Sequence, residues 1–149
     1  MNILGISAFY HDSAAALARD GTLVAAAQQE RFSRRKHDAD FPIDAIAFCL
    51  ERGGVAPDGI DAVAFYDKPV TTFARMLRTY LQVSPRGVGM FRAAVPLWLR
   101  DKLWVPYNIE RGLRDAGYRM PKRLYFTEHH ESHAASAFCL LYTSPSPRD

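Results

Sequence analysis

The dipeptide Asp20-Gly21 sits between two apolar runs, "SAAALAR" (13–19) and "TLVAAAQQ" (22–29), and constrains this fold more than any other feature. A two-residue turn of that composition needs positive φ at both positions, so the flanking runs pair as an antiparallel hairpin. A third apolar run, "NILGIS" (2–7), precedes them. The chain is therefore expected to open with three antiparallel strands.

After the hairpin the pattern changes period. "IDAIAFCLERGGV" carries Ile43, Ile46, Ala47 and Leu50 at helical spacing, with Gly53 and Gly54 as a stop. "IDAVAFYD" (60–67) has strand length, and its closing "FYD" reaches the carboxyl edge, where ligands bind in α/β folds. Residues 71–116 alternate amphipathic pieces with the breakers Pro85, Gly87, Gly89, Pro96 and Pro106, and read as helices carrying an insertion. "KRLYFTEHH" (122–130) predicts a fifth strand running into histidines, and "ESHAASAF" (131–138) a helix. This order resembles the first lobe of the actin-like ATPase (ribonuclease H-like) superfold. It predicts an α/β protein whose mixed sheet has antiparallel amino-terminal strands and flanking helices.

At 149 residues, 48% hydrophobic and 23% charged, the chain is long enough for one domain with a real core. A net charge of +3 permits an anionic small-molecule substrate but lacks the dense basic clustering that argues for nucleic acid. Two cysteines, Cys49 and Cys139, spell neither a disulfide framework nor a Cys-based zinc site. The start lacks a basic segment followed by a long apolar one, so a secretory leader is not expected. "VGMFRAAVPLWLRDKLW" is broken by Arg92, Pro96 and Arg100, short of the roughly 20 apolar residues of a spanning helix. A cytoplasmic enzyme with no membrane partner is the expectation.

Three segments carry candidate chemistry. In "FTEHHESHAASAF" (126–138), Thr127 is an expected N-cap, and Glu128 and Glu131 suit a helix N-terminus. His129 and His133 then stand at i and i+4, about 40° apart around the axis, whereas His130 projects roughly 100° away. Two such imidazoles can chelate one metal; they can equally be surface residues, and the spacing does not spell the HExxH of zinc proteases. In "GISAFYHDSAAA" (5–16), Gly5, Ser7, His11, Asp12 and Ser13 surround the first turn. Backbone N–H groups there can approach phosphate, and His11 beside Asp12 can act as a base; a solvated turn is the alternative. "ERFSRRKH" (30–37) packs Arg31, Arg34, Arg35 and Lys36 together, either as solvated surface or as a clamp on phosphate or adenylate. Phe32 within it implies that the segment folds back on the core.

Taken together, "MNILGISAFYHDSAAAL", "LVAAAQQERFSRRKHD", "DAIAFCL" and "HHESHAASAF" occur in an order and separation that resemble one family. It is the amino-terminal part of the O-carbamoyltransferases that modify nodulation factors, cephem antibiotics and aminoglycosides. The likeness covers residues 1–138 and is weakest over 71–118. It implies an actin-like ATPase-type domain followed by a YrdC-type domain. It also implies a reaction in which carbamoyl phosphate and ATP give carbamoyl-adenylate, whose carbamoyl group passes to a hydroxyl of a small molecule. The resemblance further implies a divalent metal, Fe2+ by expectation, on His129 and His133, with carboxylate ligands supplied later in the family's chain. It makes His11 the residue that helps deprotonate the acceptor, and puts Asp12, Ser13, Arg31, Lys36 and His37 in the substrate and nucleotide cavity.

The chain departs from the family after residue 138. The family runs on for several hundred residues, whereas "CLLYTSPSPRD" (139–149) reads like translated sequencing adapter. The expectation is a truncated enzyme, inactive alone, lacking its second lobe and YrdC-type domain. A sugar-kinase or ATPase lobe of the same superfold, and a non-catalytic metal-binding module, are the alternatives.

Overall fold

A computed structural model describes residues 1–84, 86–97 and 104–140, with backbone alone at 97 and 136–140. Strands β1 (Asn2–Ser7), β2 (Ala14–Arg19) and β3 (Thr22–Gln28) form the expected antiparallel meander. Asp20 and Gly21 take φ of 50° and 84°, the positive values their turn requires. Leu17 pairs with Ala25 but Ala18 with Leu23, so Val24 is an extra residue that bulges β3.

A short helix α1 (Glu30–Ser33) and α2 (Ile43–Gly53) lead to β4 (Ala62–Phe65). Helices α3 (Pro69–Val83), α4 (Val88–Leu97) and α5 (Val105–Asp115) follow, then β5 (Leu124–Phe126) and α6 (His129–Leu140). The sheet runs β3-β2-β1-β4-β5, with β4 parallel to β1 and β5 parallel to β4. The chain is thus an α/β protein built on a mixed five-stranded sheet flanked by helices.

Registers explain the core. Leu4 lies opposite Leu17 and Val63, and Ile6 opposite Ala15 and Phe65, so these six share one face. That face is buried against Ala45, Ile46, Cys49 and Leu50 of α2 and Val105, Ile109 and Leu113 of α5. Burying each Leu or Ile contributes about 1.5–3 kcal/mol. The opposite face carries Gly5, Ala16 and Ala64, too small to bury comparable area. Gly54, at φ 59°, ends α2 in the left-handed conformation that the Gly-Gly stop implied. The start of α2 is held by a residue from β3's end: the Gln29 side chain accepts from Ala45 N–H (3.2 Å) and donates to Asp44 (2.7 Å).

Two boundaries differ from the sequence reading. Gly89 and Pro96, expected as breakers, fall inside α4, and Pro106 lies in the first turn of α5, where its missing N–H costs nothing. Pro85 lies outside the described residues. The boundary expected at 138 falls within α6, whose backbone continues to Leu140, while 141–149 lie outside the described residues. Among the described residues no helix is long and apolar enough to cross a membrane.

Candidate active site

Because β1, β4 and β5 are parallel, their carboxyl ends meet at one edge, the usual ligand edge of such sheets. Three connections emerge there: residues 8–13 after β1, Tyr66 and Asp67 after β4, and Thr127 and Glu128 after β5.

The last connection aims α6. Thr127 N–H donates to the Phe65 carbonyl (3.0 Å), and Ser132 Oγ donates to the Tyr66 carbonyl (3.4 Å). Thr127 is not the N-cap it was expected to be. Glu128 takes that position: its carbonyl accepts the Ser132 N–H (2.9 Å), and its own N–H donates to the Glu131 carboxylate (3.4 Å). The Thr127 hydroxyl is occupied instead with Ser132 and Phe65, which ties the helix start to β4. From this register His129 and His133 converge, Nε2 to Nε2 at 3.1 Å. His130 is exposed and turns aside, its ring edge-on to His129.

The first connection carries a second group. Asp12 Oδ2 lies 2.8 Å from His11 Nδ1, and its Oδ1 lies 3.0 Å from His37 Nδ1. The bond to His37 first, and that to His11 second, hold the Asp12 carboxyl below the usual carboxylate range. Backbone bonds bring the two segments together: Phe9 N–H donates to Ala39 (2.9 Å) and Ser13 N–H to Asp38 (2.8 Å).

Both groups line one cavity of about 230 Å³, bounded by Ser7, Tyr10, His11, Asp12, Tyr66, His129, Ser132 and His133. A neighbouring cavity of about 310 Å³ shares the Tyr10, Tyr66 and His129 wall and adds Lys68, Arg75 and His130. Among the described residues no set of three or more His, Cys, Asp or Glu is grouped to hold a metal ion, and His129 and His133 form a pair of facing nitrogens.

Residues 2–147 match the model of the family described as carbamoyltransferase N-terminus. The chain belongs to that family. Over 151 residues it is 50% identical to the uncharacterized protein sll1178 of Synechocystis sp., covering 99% of this chain and 24% of that protein. It is also 35% identical over 132 residues to the nodulation protein NolNO of Sinorhizobium fredii, covering 89% of this chain and 18% of that protein. An uncharacterized 19.2 kDa protein of Rhizobium etli is 42% identical over 60 residues, 40% of this chain and 35% of that one. The chain thus spans about a quarter or less of the two longer relatives.

In this carbamoyltransferase N-terminus the expected site residues divide. His11, Asp12, His129 and His133 are brought to one cavity, and His37 joins through Asp12. Arg31 and Lys36 are exposed and stand outside the walls of that cavity. Ser13 is buried, with its hydroxyl unpartnered among the described residues. The basic segment does not fold back on the core as Phe32 implied: no residue of 30–37 is buried, and Phe32 packs half-exposed on the equally exposed Phe48, whereas the following Asp38 is buried. Arg35 is bound to Asp38 and Asp40, which removes one cation from the expected phosphate clamp. Tyr66 was not singled out by the sequence. Its ring lies 5.7 Å from that of His129, and burial first, then Asp67 and Tyr10, push its phenol pKa upward. The only signal for it was the "FYD" closing a strand.

Proposed function

We propose that this chain is the amino-terminal part of an ATP-dependent O-carbamoyltransferase. The enzyme takes a carbamoyl group from carbamoyl phosphate, through carbamoyl-adenylate, to a hydroxyl of a small molecule in the cytoplasm. The observation that carries this reading is the shared cavity, where the His11–Asp12 pair after β1 faces the His129–His133 pair on α6. Family membership supports it, as do relatives several times longer than the chain. The antiparallel meander followed by parallel strands supports the first lobe of an actin-like ATPase fold, which a second lobe and a YrdC-type domain of the same chain would complete.

His129 and His133 fit a divalent metal, with Fe2+ the ion proposed. Ligand bonds of about 2.0–2.1 Å put neighbouring imidazole nitrogens roughly 3–3.4 Å apart around one ion, and the two Nε2 atoms are 3.1 Å apart. Such an ion supplies Lewis-acid polarisation of a carbonyl oxygen. The chain's own residues do the rest. His11 takes the acceptor's hydroxyl proton as the new C–O bond forms and the bond to adenylate breaks, a role worth about 10²–10⁴ in rate. Asp12 holds that ring, and Tyr10 and Tyr66 line the cavity beside it. Arg31 and Lys36 supply cations for the phosphates. A kinase or ATPase lobe would leave the histidine pair without a task, and a non-catalytic metal-binding module would leave the His11–Asp12 pair without one.

Metal analysis of the full-length protein tests the reading. His129→Ala and His133→Ala are expected to lose most bound metal and carbamoyl transfer together, while His130→Ala keeps the metal. Equal metal loss in all three variants would refute the assignment of the pair.

A further inference from the structure

We propose that Asp12 is a positioning residue that binds both His11 and His37 through their Nδ1–H groups, so that each ring, when neutral, presents the Nε2 lone pair, that of His37 to a hydrogen-bond donor such as a hydroxyl or a carbamoyl NH2. Asp12 presents one oxygen to each ring, Oδ2 to His11 Nδ1 at 2.8 Å and Oδ1 to His37 Nδ1 at 3.0 Å. An ionised carboxylate only accepts hydrogen bonds, so each facing nitrogen must carry the proton. In a neutral imidazole the other nitrogen, Nε2, then bears a lone pair and cannot donate. A neutral His37 held in this way accepts at Nε2, whereas an imidazolium would donate there. The proton-binding energetics agree, since both histidine bonds draw the Asp12 carboxyl toward its ionised form.

The arrangement is over-determined, which sets it apart from a chance surface contact. Asp12 and His37 adopt φ of 52° and 56°, left-handed values that Asp and His reach more readily than most side-chain-bearing residues. Phe9 and Ser13 bind the carbonyls of Ala39 and Asp38, and the His37 N–H donates to the Glu30 carboxylate at 3.3 Å. The anionic groups bonded to His37 are therefore Asp12 and Glu30. The identity of the donor rests on the carbamoyl-transfer reading; the tautomers do not.

Long-range 1H–15N spectra of the imidazoles, recorded once the rings are neutral, read the tautomers directly. The expected result is Nδ1–H for both His11 and His37. Asp12→Asn preserves the left-handed backbone but offers one acceptor and one donor, so one of the two rings is expected to switch to Nε2–H. Finding Nε2–H on either ring of the unaltered protein, or Nδ1–H on both rings of a folded Asp12→Asn, overturns the proposal. If that variant does not fold, the unaltered protein decides alone. In the full-length enzyme Asp12→Asn is expected to lower kcat roughly 10–100-fold, the usual range for such supporting groups, with KM for ATP unchanged. A raised KM with unchanged kcat would make Asp12 a nucleotide ligand after all. The spectra need no turnover, so failure of the carbamoyl-transfer reading would leave their outcome standing.

Discussion

Asp38 is a carboxylate buried beneath the basic segment, its side chain 2% exposed. The Ser33 hydroxyl first, then the Asp40 backbone N–H (3.1 Å) and Arg35, satisfy it and hold its pKa below the ordinary value. A carboxyl lowered on folding contributes stability that is complete above its unfolded pKa, about 3.9. That contribution is lost as pH falls through the lower folded value. Urea midpoints measured from neutral pH downward are expected to fall below about pH 4. Asp38→Asn should be less stable at neutral pH and have a flatter acid limb. An unchanged acid limb would mean that Asp38 keeps its unfolded pKa. Because Asp38 anchors the loop that carries His37 to Asp12, its protonation also loosens the candidate site.

Helix α5 shows how packing can reverse a propensity. Gly112 lies mid-helix, where Ala is intrinsically better by about 1 kcal/mol. A Cβ there would meet the Phe41 ring at 2.6–2.8 Å, inside any real contact distance. The ring in turn packs beside Phe9, with centroids 6.2 Å apart, so it cannot move without disturbing the first connection. Overpacking of this kind costs about 1–3 kcal/mol. Gly112→Ala is therefore expected to lower the melting temperature despite its better helix propensity. A raised melting temperature would show that Phe41 yields freely. Thr127 makes a related point at α6: the residue with the best capping chemistry is drawn into strand contacts, and Glu128 occupies the capping position, its N–H bound by the Glu131 carboxylate.

For the molecule as a whole, the open position of the site matters most. His11, His129 and His133 are exposed, and the chain spans 24% of one long relative and 18% of the other. Two imidazoles alone bind a divalent ion weakly, and a cleft with one wall cannot orient an adenylate against an acceptor; orientation can supply about 7–11 kcal/mol of a barrier. The 149-residue chain alone is expected to show no turnover of carbamoyl phosphate with ATP. Equilibrium dialysis should find its metal affinity far below that of the full-length protein. Turnover by the isolated chain would show that its own residues complete the site.

What could be read from the sequence were the features set by neighbours along the chain. The Asp20-Gly21 turn, the Gly54 stop and the i, i+4 convergence of His129 and His133 depend on backbone sterics and helix pitch, which act over a few residues. The alternation that buries Leu4, Ile6 and Leu17 is equally local, being the two-residue period of a strand. Only the tertiary structure decided which strands lie beside β1, and hence that Tyr66 and α6 stand over the first connection. It alone joined His37 to Asp12 across 25 residues and seated Phe41 on Gly112. Such pairings follow from the order of parallel strands and from which loop carbonyls meet which N–H groups, and neither is encoded in the period or propensity of any single segment.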